Sequence, residues 1–199
     1  MTGESPLSEY RKKRDFRKTP EPCGREEHES LPSPLFVIQE HDASSLHYDL
    51  RLETGGVLAS WAVPKGPSTV KGKKRLAVRT ENHPLQYAAF EGVIPEGEYG
   101  GGRMIVWDRG TYRSMEGEEE NRQVPESALE DGHIRVWLEG SKLRGGYSLS
   151  RMGKGKKWLL TKLDDDAADA RRNPVKTEPE SVLSGKTVEQ IGTGNRKGH

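Results

Sequence analysis

The sequence predicts an all-β protein: a compact antiparallel β-barrel of about eight strands, with an N-terminal arm and a flexible C-terminal tail. Three observations predict it. Short segments rich in Val, Ile, Tyr and Trp recur between residues 35 and 163, several of them alternating, as strands do. Turn signals separate them: "DASS", "ETGG", "KGPS", "EGEYGGG", "DRG" and "LRGG". Helical periodicity is scarce throughout. About eight short strands at such spacing argue for a closed barrel or a sandwich.

Taken in order, residues 1–30 are polar, basic then acidic, and "TPEP" favours extended backbone. They form the expected arm, with room for a turn or two of helix in "PLSEYRKKRDF". The barrel is expected over residues 31–163, in the strand-like runs "LFVIQEH", "LHYDLRLE", "VLASWAVP", "RLAVRT", "RMIVWDRGTYR", "HIRVWLEG", "GGYSLSRM" and "KWLLTKL". One more short helix is expected at "PESALED", opened by Pro125 or Ser127. Trp61, Trp107, Trp137 and Trp158 fall in strands and read as core. Residues 164–199 are polar and rich in helix and strand breakers, which predicts a mobile tail or linker.

Composition narrows the function. Of 199 residues 31 % are hydrophobic and 32 % charged, low and high for a folded domain, which fits a modest core with polar extensions. One cysteine, Cys23, allows no internal disulfide and suits a reducing cytoplasm. No apolar run approaches the roughly 20 residues of a membrane helix, and the N-terminus lacks a signal-peptide stretch. With a net charge of only +1, nucleic-acid binding would have to rest on a local basic face. Basic clusters of that kind stand at "RKKRDFRK", "PKGPSTVKGKKRLAVR" and "RMGKGKKW". The glycine runs "EGEYGGGR" and "RMGKGKK" lack the strand, GK[ST] ending and helix of a P-loop; the first reads as a glycine hairpin with a bulge.

The chemistry concentrates in "IQEHDASSLHYDLRLE". Strand alternation puts His47, Asp49, Arg51 and Glu53 on one face, and Tyr48, Leu50 and Leu52 on the other. Same-face neighbours lie roughly 6.5–7 Å apart at Cα, so an imidazole and a carboxylate can lean toward one ion. The short "DASSL" connection returns His41 beside His47. Two imidazoles and a carboxylate make a mixed nitrogen–oxygen set with open positions, as a catalytic metal site requires. Arg51 is no ligand; its planar fork suits a phosphate. His83, held extended by Pro84 and two residues after Glu81, reads as a third ligand, a general acid, a phosphate donor or an ordinary loop histidine. His28, His133 and His199 have no comparable neighbours, although His133-x-Arg135 leaves open a two-histidine, one-carboxylate iron oxygenase. A metal-free nucleic-acid-binding barrel of the OB type is the other alternative, and it would need aromatics on the polar face.

Several stretches carry a family likeness. "FVIQEHDASSLHYDLRLE", "WAVPKGPS", "RTENHPLQYAAFEGVIPEGEYGGG" and "GSKLRGGYSL" resemble the 3′-phosphoesterase module of bacterial DNA ligase D and its stand-alone relatives in archaea and bacteria. The likeness runs from about Tyr10 to Leu163, and "SEYRKKRDFRKTPEP" is similar to the arm leading into that module. The resemblance implies a β-barrel with a curved active-site groove and a manganese-dependent hydrolase, with Co²⁺ or Zn²⁺ as alternative metals. Such an enzyme removes 3′-terminal ribonucleotides and 3′-phosphates from DNA or RNA–DNA primer–template ends, leaving a 3′-hydroxyl for end-joining repair. By the same resemblance His41, His47 and Asp49 bind the metal, and Arg51 and His83 contact the phosphate with Lys65, Arg75 and Tyr87 around it. Arg14, Asp15, Glu21, Gln39 and Glu81 complete the pocket. The expected partners are nucleic-acid 3′ ends, and a DNA ligase, a polymerase or Ku in end joining. The expected setting is a monomer in a prokaryotic cytoplasm, close to the nucleoid. "SVLSGKTVEQI" is similar to a connector leading into a ligase domain.

Overall fold

The computed structural model describes residues 5–24, 33–117 and 122–192. Its strands are β1 (Leu35–Asp42), β2 (Leu46–Thr54), β3 (Val57–Val63), β4 (Lys74–Arg79), β5 (Gly92–Ile94), β6 (Gly102–Ser114), β7 (His133–Gly140), β8 (Arg144–Arg151) and β9 (Lys157–Lys162). The sheet order is β1-β2-β3-β4-β9-β8-β7-β6-β5, every pairing is antiparallel, and a β1–β6 ladder closes the ring. Eight strands therefore form the barrel, as the sequence predicts. The short β5 is an extra strand lying on β6 beyond the closure. It escaped the sequence reading because three residues show no alternation.

The helices are equally sparse. The arm contains α1 (Ser8–Lys12), and α2 (Glu126–Asp131) follows Pro125 and ends at Gly132. Gly132 stops the helix in the left-handed region at φ 78°, where a Cβ would be strained.

Two apolar faces explain where polar chemistry can sit. All eight barrel strands send side chains into one large cluster, including Phe36, Leu50, Trp61, Ala77, Trp107, Leu138, Leu149 and Trp158; this is the barrel interior. The opposite face of β1, β3 and β6 carries a second cluster, with Val37, Leu58, Met104 and Val106 meeting Tyr10, Tyr87 and Phe90. The arm and the 85–94 segment thus cover part of the outer wall. Three tryptophans are core, as expected. Trp137 is not: it is half-buried on the outer face of β7, with the Arg113 guanidinium 5.4 Å from its ring centroid.

Residues 164–192 differ from the mobile tail expected over 164–199. They pack along the barrel as a strap; residues 193–199 lie outside the described residues. Val175 packs on the barrel core and Val182 on the outer cluster. Val188 and Ile191 bury against Ile105. Trp107 Nε1 donates to the Glu178 carbonyl at 2.8 Å, and Lys142 Nζ donates to the Glu178 and Glu180 carbonyls. The apolar residues that dock the strap are too widely spaced to show periodicity, so composition alone reads it as polar.

Candidate metal and phosphate site

β1 and β2 form a hairpin in register His41↔His47 and Gln39↔Asp49. Alternation then places Gln39, His41, Asp49 and Arg51 on the outer wall. Ligand atoms of His41, His47 and Asp49 lie within 4.8 Å of one another. His41 Nδ1 is 3.7 Å from one carboxylate oxygen of Asp49, and His47 Nε2 is 3.6 Å from the other.

The backbone selects the tautomers. His41 Nε2 lies 2.8 Å from the Gly100 carbonyl and His47 Nδ1 lies 2.9 Å from the Ser45 carbonyl. A carbonyl can only accept, so those nitrogens carry the protons. The second ring nitrogens, His41 Nδ1 and His47 Nε2, are the atoms facing Asp49. A donor histidine oriented through its second nitrogen by a carbonyl is the usual support for a metal ligand. Burial by itself would raise the Asp49 carboxyl, but Arg51 and the two histidines lower it to about 2. The set is one carboxylate oxygen and two imidazole nitrogens, and it fits a divalent transition metal.

Arg51 is buried and clamped on all sides. Its Nη2 donates to Asp49 at 3.0 Å and its Nε to Gln39 Oε1 at 2.7 Å, while its Nη1 lies 3.0 Å from His83 Nδ1. Gln39 is held in turn by the Tyr87 and Phe90 carbonyls, so its role is to orient Arg51. Burial, then the Arg51 and Arg14 guanidinium groups, push His83 well below its ordinary value. His83 is therefore neutral, and a hydrogen-bonding group rather than a cation.

The arm builds the facing wall. Tyr10 packs edge-on to His83 and Tyr87. Arg14 donates to Glu21 at 2.8 Å and to Glu81 at 3.0 Å, and its Nη2 lies 3.4 Å from His83 Nε2. Burial would raise Glu81, yet its backbone, Lys13 and Arg14 hold it below the usual carboxylate range. Together these elements enclose an open cavity of about 290 Å³, lined by His41, His47, Asp49, Arg51, His83 and Tyr99 among others.

Of the residues singled out from sequence, Arg14, His41, His47, Asp49, Arg51, Glu81, His83 and Tyr87 line this one cavity. Gln39 and Glu21 stand behind it. Glu21 is buried, bonded to Arg14, Thr19 and the Tyr87 hydroxyl. Asp15 is half-buried and paired with Arg17 and Lys18, outside the lining. Lys65 and Arg75 are not lining residues either. Lys65 is exposed beyond β3, and Arg75 Nε is buried without a partner. His133 is exposed at the start of β7, 3.2 Å from Ser150, so it takes no part in this cluster; His28 and His199 lie outside the described residues. Sequence reasoning missed Lys13 and Tyr99. Lys13 was hidden in a basic run, and Tyr99 in a stretch legible only as a glycine turn.

Residues 39–151 match the model of the DNA ligase D 3′-phosphoesterase domain. The chain is 47 % identical over 194 residues to the multifunctional non-homologous end joining protein LigD of Pseudomonas aeruginosa, covering 94 % of this chain and 22 % of that protein. It is 48 % identical over 163 residues to the corresponding protein of Mycolicibacterium smegmatis, covering 80 % of this chain and 21 % of that one. The chain thus spans about a fifth of the length of these curated relatives. With the match covering more than half of the chain, including His41, His47, Asp49 and His83, the chain belongs to the DNA ligase D 3′-phosphoesterase domain family.

Proposed function

We propose that this chain is a metal-dependent 3′-end-processing phosphoesterase, acting on nucleic-acid ends that carry a terminal ribonucleotide or a 3′-phosphate. One observation carries the reading: two tautomer-selected imidazoles and an ionised carboxylate stand beside a clamped arginine and a neutral histidine in a single cavity. Manganese is the proposed metal, held by His41, His47 and Asp49. A divalent cation held there would supply polarisation of a phosphoryl oxygen and activation of water. Arg51, its position already determined by Asp49 and Gln39, meets charge developing on the equatorial oxygens without reorganising. His83, its Nδ1 held 2.9 Å from the Glu81 carbonyl, stands between Arg51 and Arg14 and keeps both guanidinium groups in place. Arg14 and Lys13 together balance two carboxylates, Glu21 and Glu81, so this wall is close to neutral and suits a sugar better than a second phosphate.

Glu81 accepts hydrogen bonds and cannot give them while ionised, which fits it to ribose hydroxyls. The end-joining role, and work alongside a ligase, a polymerase or Ku in a prokaryotic cell, belong to the same proposal. They rest on the names of relatives far longer than this chain. Among the described residues no helix is long and apolar enough to cross a membrane. The deciding experiment incubates the protein with Mn²⁺ and a labelled primer–template ending in one ribonucleotide. Shortening of the primer, followed by loss of the new 3′-phosphate, is expected with wild type, and neither step with His47→Ala or in EDTA. Turnover by His47→Ala at the wild-type rate would remove the site from the mechanism.

A further inference from the structure

Tyr99 stands apart from the other five tyrosines. Tyr10, Tyr48, Tyr87, Tyr112 and Tyr147 are all buried, whereas Tyr99 is 46 % exposed. Among the described residues it is the one exposed aromatic, and it lines the metal and phosphate cavity. A tyrosine kept for packing would bury its ring as the others do.

The ring is held in place nonetheless. Its hydroxyl lies 3.4 Å from Glu81 Oε2 and 3.4 Å from Lys13 Nζ. Lys13 Nζ is 4.9 Å, and the Arg14 guanidinium carbon 5.2 Å, from the ring centroid. The loop beneath it is built from two consecutive turns, Glu98 N to the Pro95 carbonyl and Gly101 N to the Glu98 carbonyl. Gly102 lets that loop press against β1: a Cβ there would fall 2.3 Å from the Asp42 carbonyl oxygen. The next residue after Tyr99 supplies the carbonyl that orients His41. The ring is therefore one residue from the support of a metal ligand, and it shares Glu81 with the wall assigned to the sugar.

We propose that Tyr99 is the platform on which the base of the 3′-terminal nucleoside stacks while its phosphate lies at the metal site. An exposed, rigid aromatic beside cations is the element that binds single-stranded bases without reading sequence, and a tyrosine loses little conformational freedom in doing so. The inference rests on the phosphoesterase reading of the cavity. It adds the feature that would let a nucleoside end be held in addition to a bare phosphate.

The test is a double cycle on binding, run without metal so that turnover plays no part. Duplexes carry one unpaired 3′-terminal ribonucleotide, with its base either intact or replaced by hydrogen at C1′. Affinity is read by fluorescence anisotropy for wild type, Tyr99→Ala and Tyr99→Phe. Removing the base should weaken wild type and Tyr99→Phe on the order of tenfold, the scale of one stacked base. In Tyr99→Ala the same removal should change little. A base effect equal in all three proteins, or none in wild type, would overturn the platform. Base-dependent binding of a duplex that wild type then fails to process in Mn²⁺ would instead overturn the catalytic reading and leave the platform standing.

Discussion

At His41 and His47 one ring nitrogen is already committed to a backbone carbonyl, so replacing either ring removes a lone pair that nothing nearby can supply. His41→Ala and His47→Ala should abolish manganese binding and nearly all turnover while remaining folded, since neither ring belongs to an apolar cluster. Titration calorimetry with Mn²⁺ alongside circular dichroism checks both halves. Arg51→Lys retains a charge but cannot bond Gln39, Asp49 and the cavity together. It should keep metal affinity yet lose at least about 100-fold in kcat, the scale of one preorganised donor; wild-type kcat would reduce Arg51 to a screening charge. His83 makes stability depend on pH. Its folded form resists protonation until well below 6.5, whereas the unfolded chain binds that proton near 6.5. The unfolded state thus holds more protons in this window, and stability falls as pH falls through it. Asp49 has the depressed-carboxylate pattern: its contribution is present above 3.8 and lost as pH falls toward 2. Urea denaturation at pH 7.5 and 5.5 should therefore show wild type losing more stability than His83→Asn. Parallel losses would mean His83 titrates normally.

Two elements flank the barrel, and they should behave differently. The candidate ligands and Arg51 come from the β1–β2 hairpin alone, while the arm supplies only the facing wall through Tyr10 and Arg14. Deleting residues 1–21 should accordingly impair removal of a ribonucleoside far more than removal of a 3′-phosphate, measured side by side in one Mn²⁺ buffer. Equal losses would make the arm part of the phosphate site. Glu21 is buried between Arg14 and Tyr87, so Glu21→Ala should act by releasing Arg14. The strap has a structural task. Truncating after Leu163 would expose Ile105 and leave Trp107 Nε1 and Lys142 Nζ without their carbonyl partners. A lowered thermal midpoint is expected, and Ile191→Ala alone should cost about 2 kcal/mol. A truncated protein with an unchanged midpoint would show that these contacts contribute nothing.

Over the whole molecule, 32 Lys and Arg nearly balance 31 Asp and Glu, so attraction to nucleic acid depends on where the cations lie. Lys13, Arg14 and Arg51 gather at the cavity, although carboxylates offset part of their charge. Binding of a primer–template should weaken steadily as KCl rises from 50 to 200 mM, with a log–log slope of a few phosphate contacts. A salt-independent affinity would argue against an electrostatic footprint.

Much of this was legible in the amino-acid order. Alternation in "LHYDLRLE" separates Asp49 and Arg51 from Leu50 and Leu52, and hairpin spacing returns His41 to His47. These are short-range consequences of strand geometry, so sequence by itself determined the grouping of His41, His47 and Asp49, the barrel class and the two faces of β2. The rest depends on segments distant in the chain. Arg14 meets Glu81 and His83 across 67 and 69 residues, and Tyr99 reaches the cavity only because a glycine loop folds back on β1. The strap binds through backbone carbonyls, which every residue possesses and no composition reveals. Tertiary structure decided those features because long-range contacts follow from how the closed barrel brings its outer wall, arm and strap together. Local pattern carries no record of that meeting.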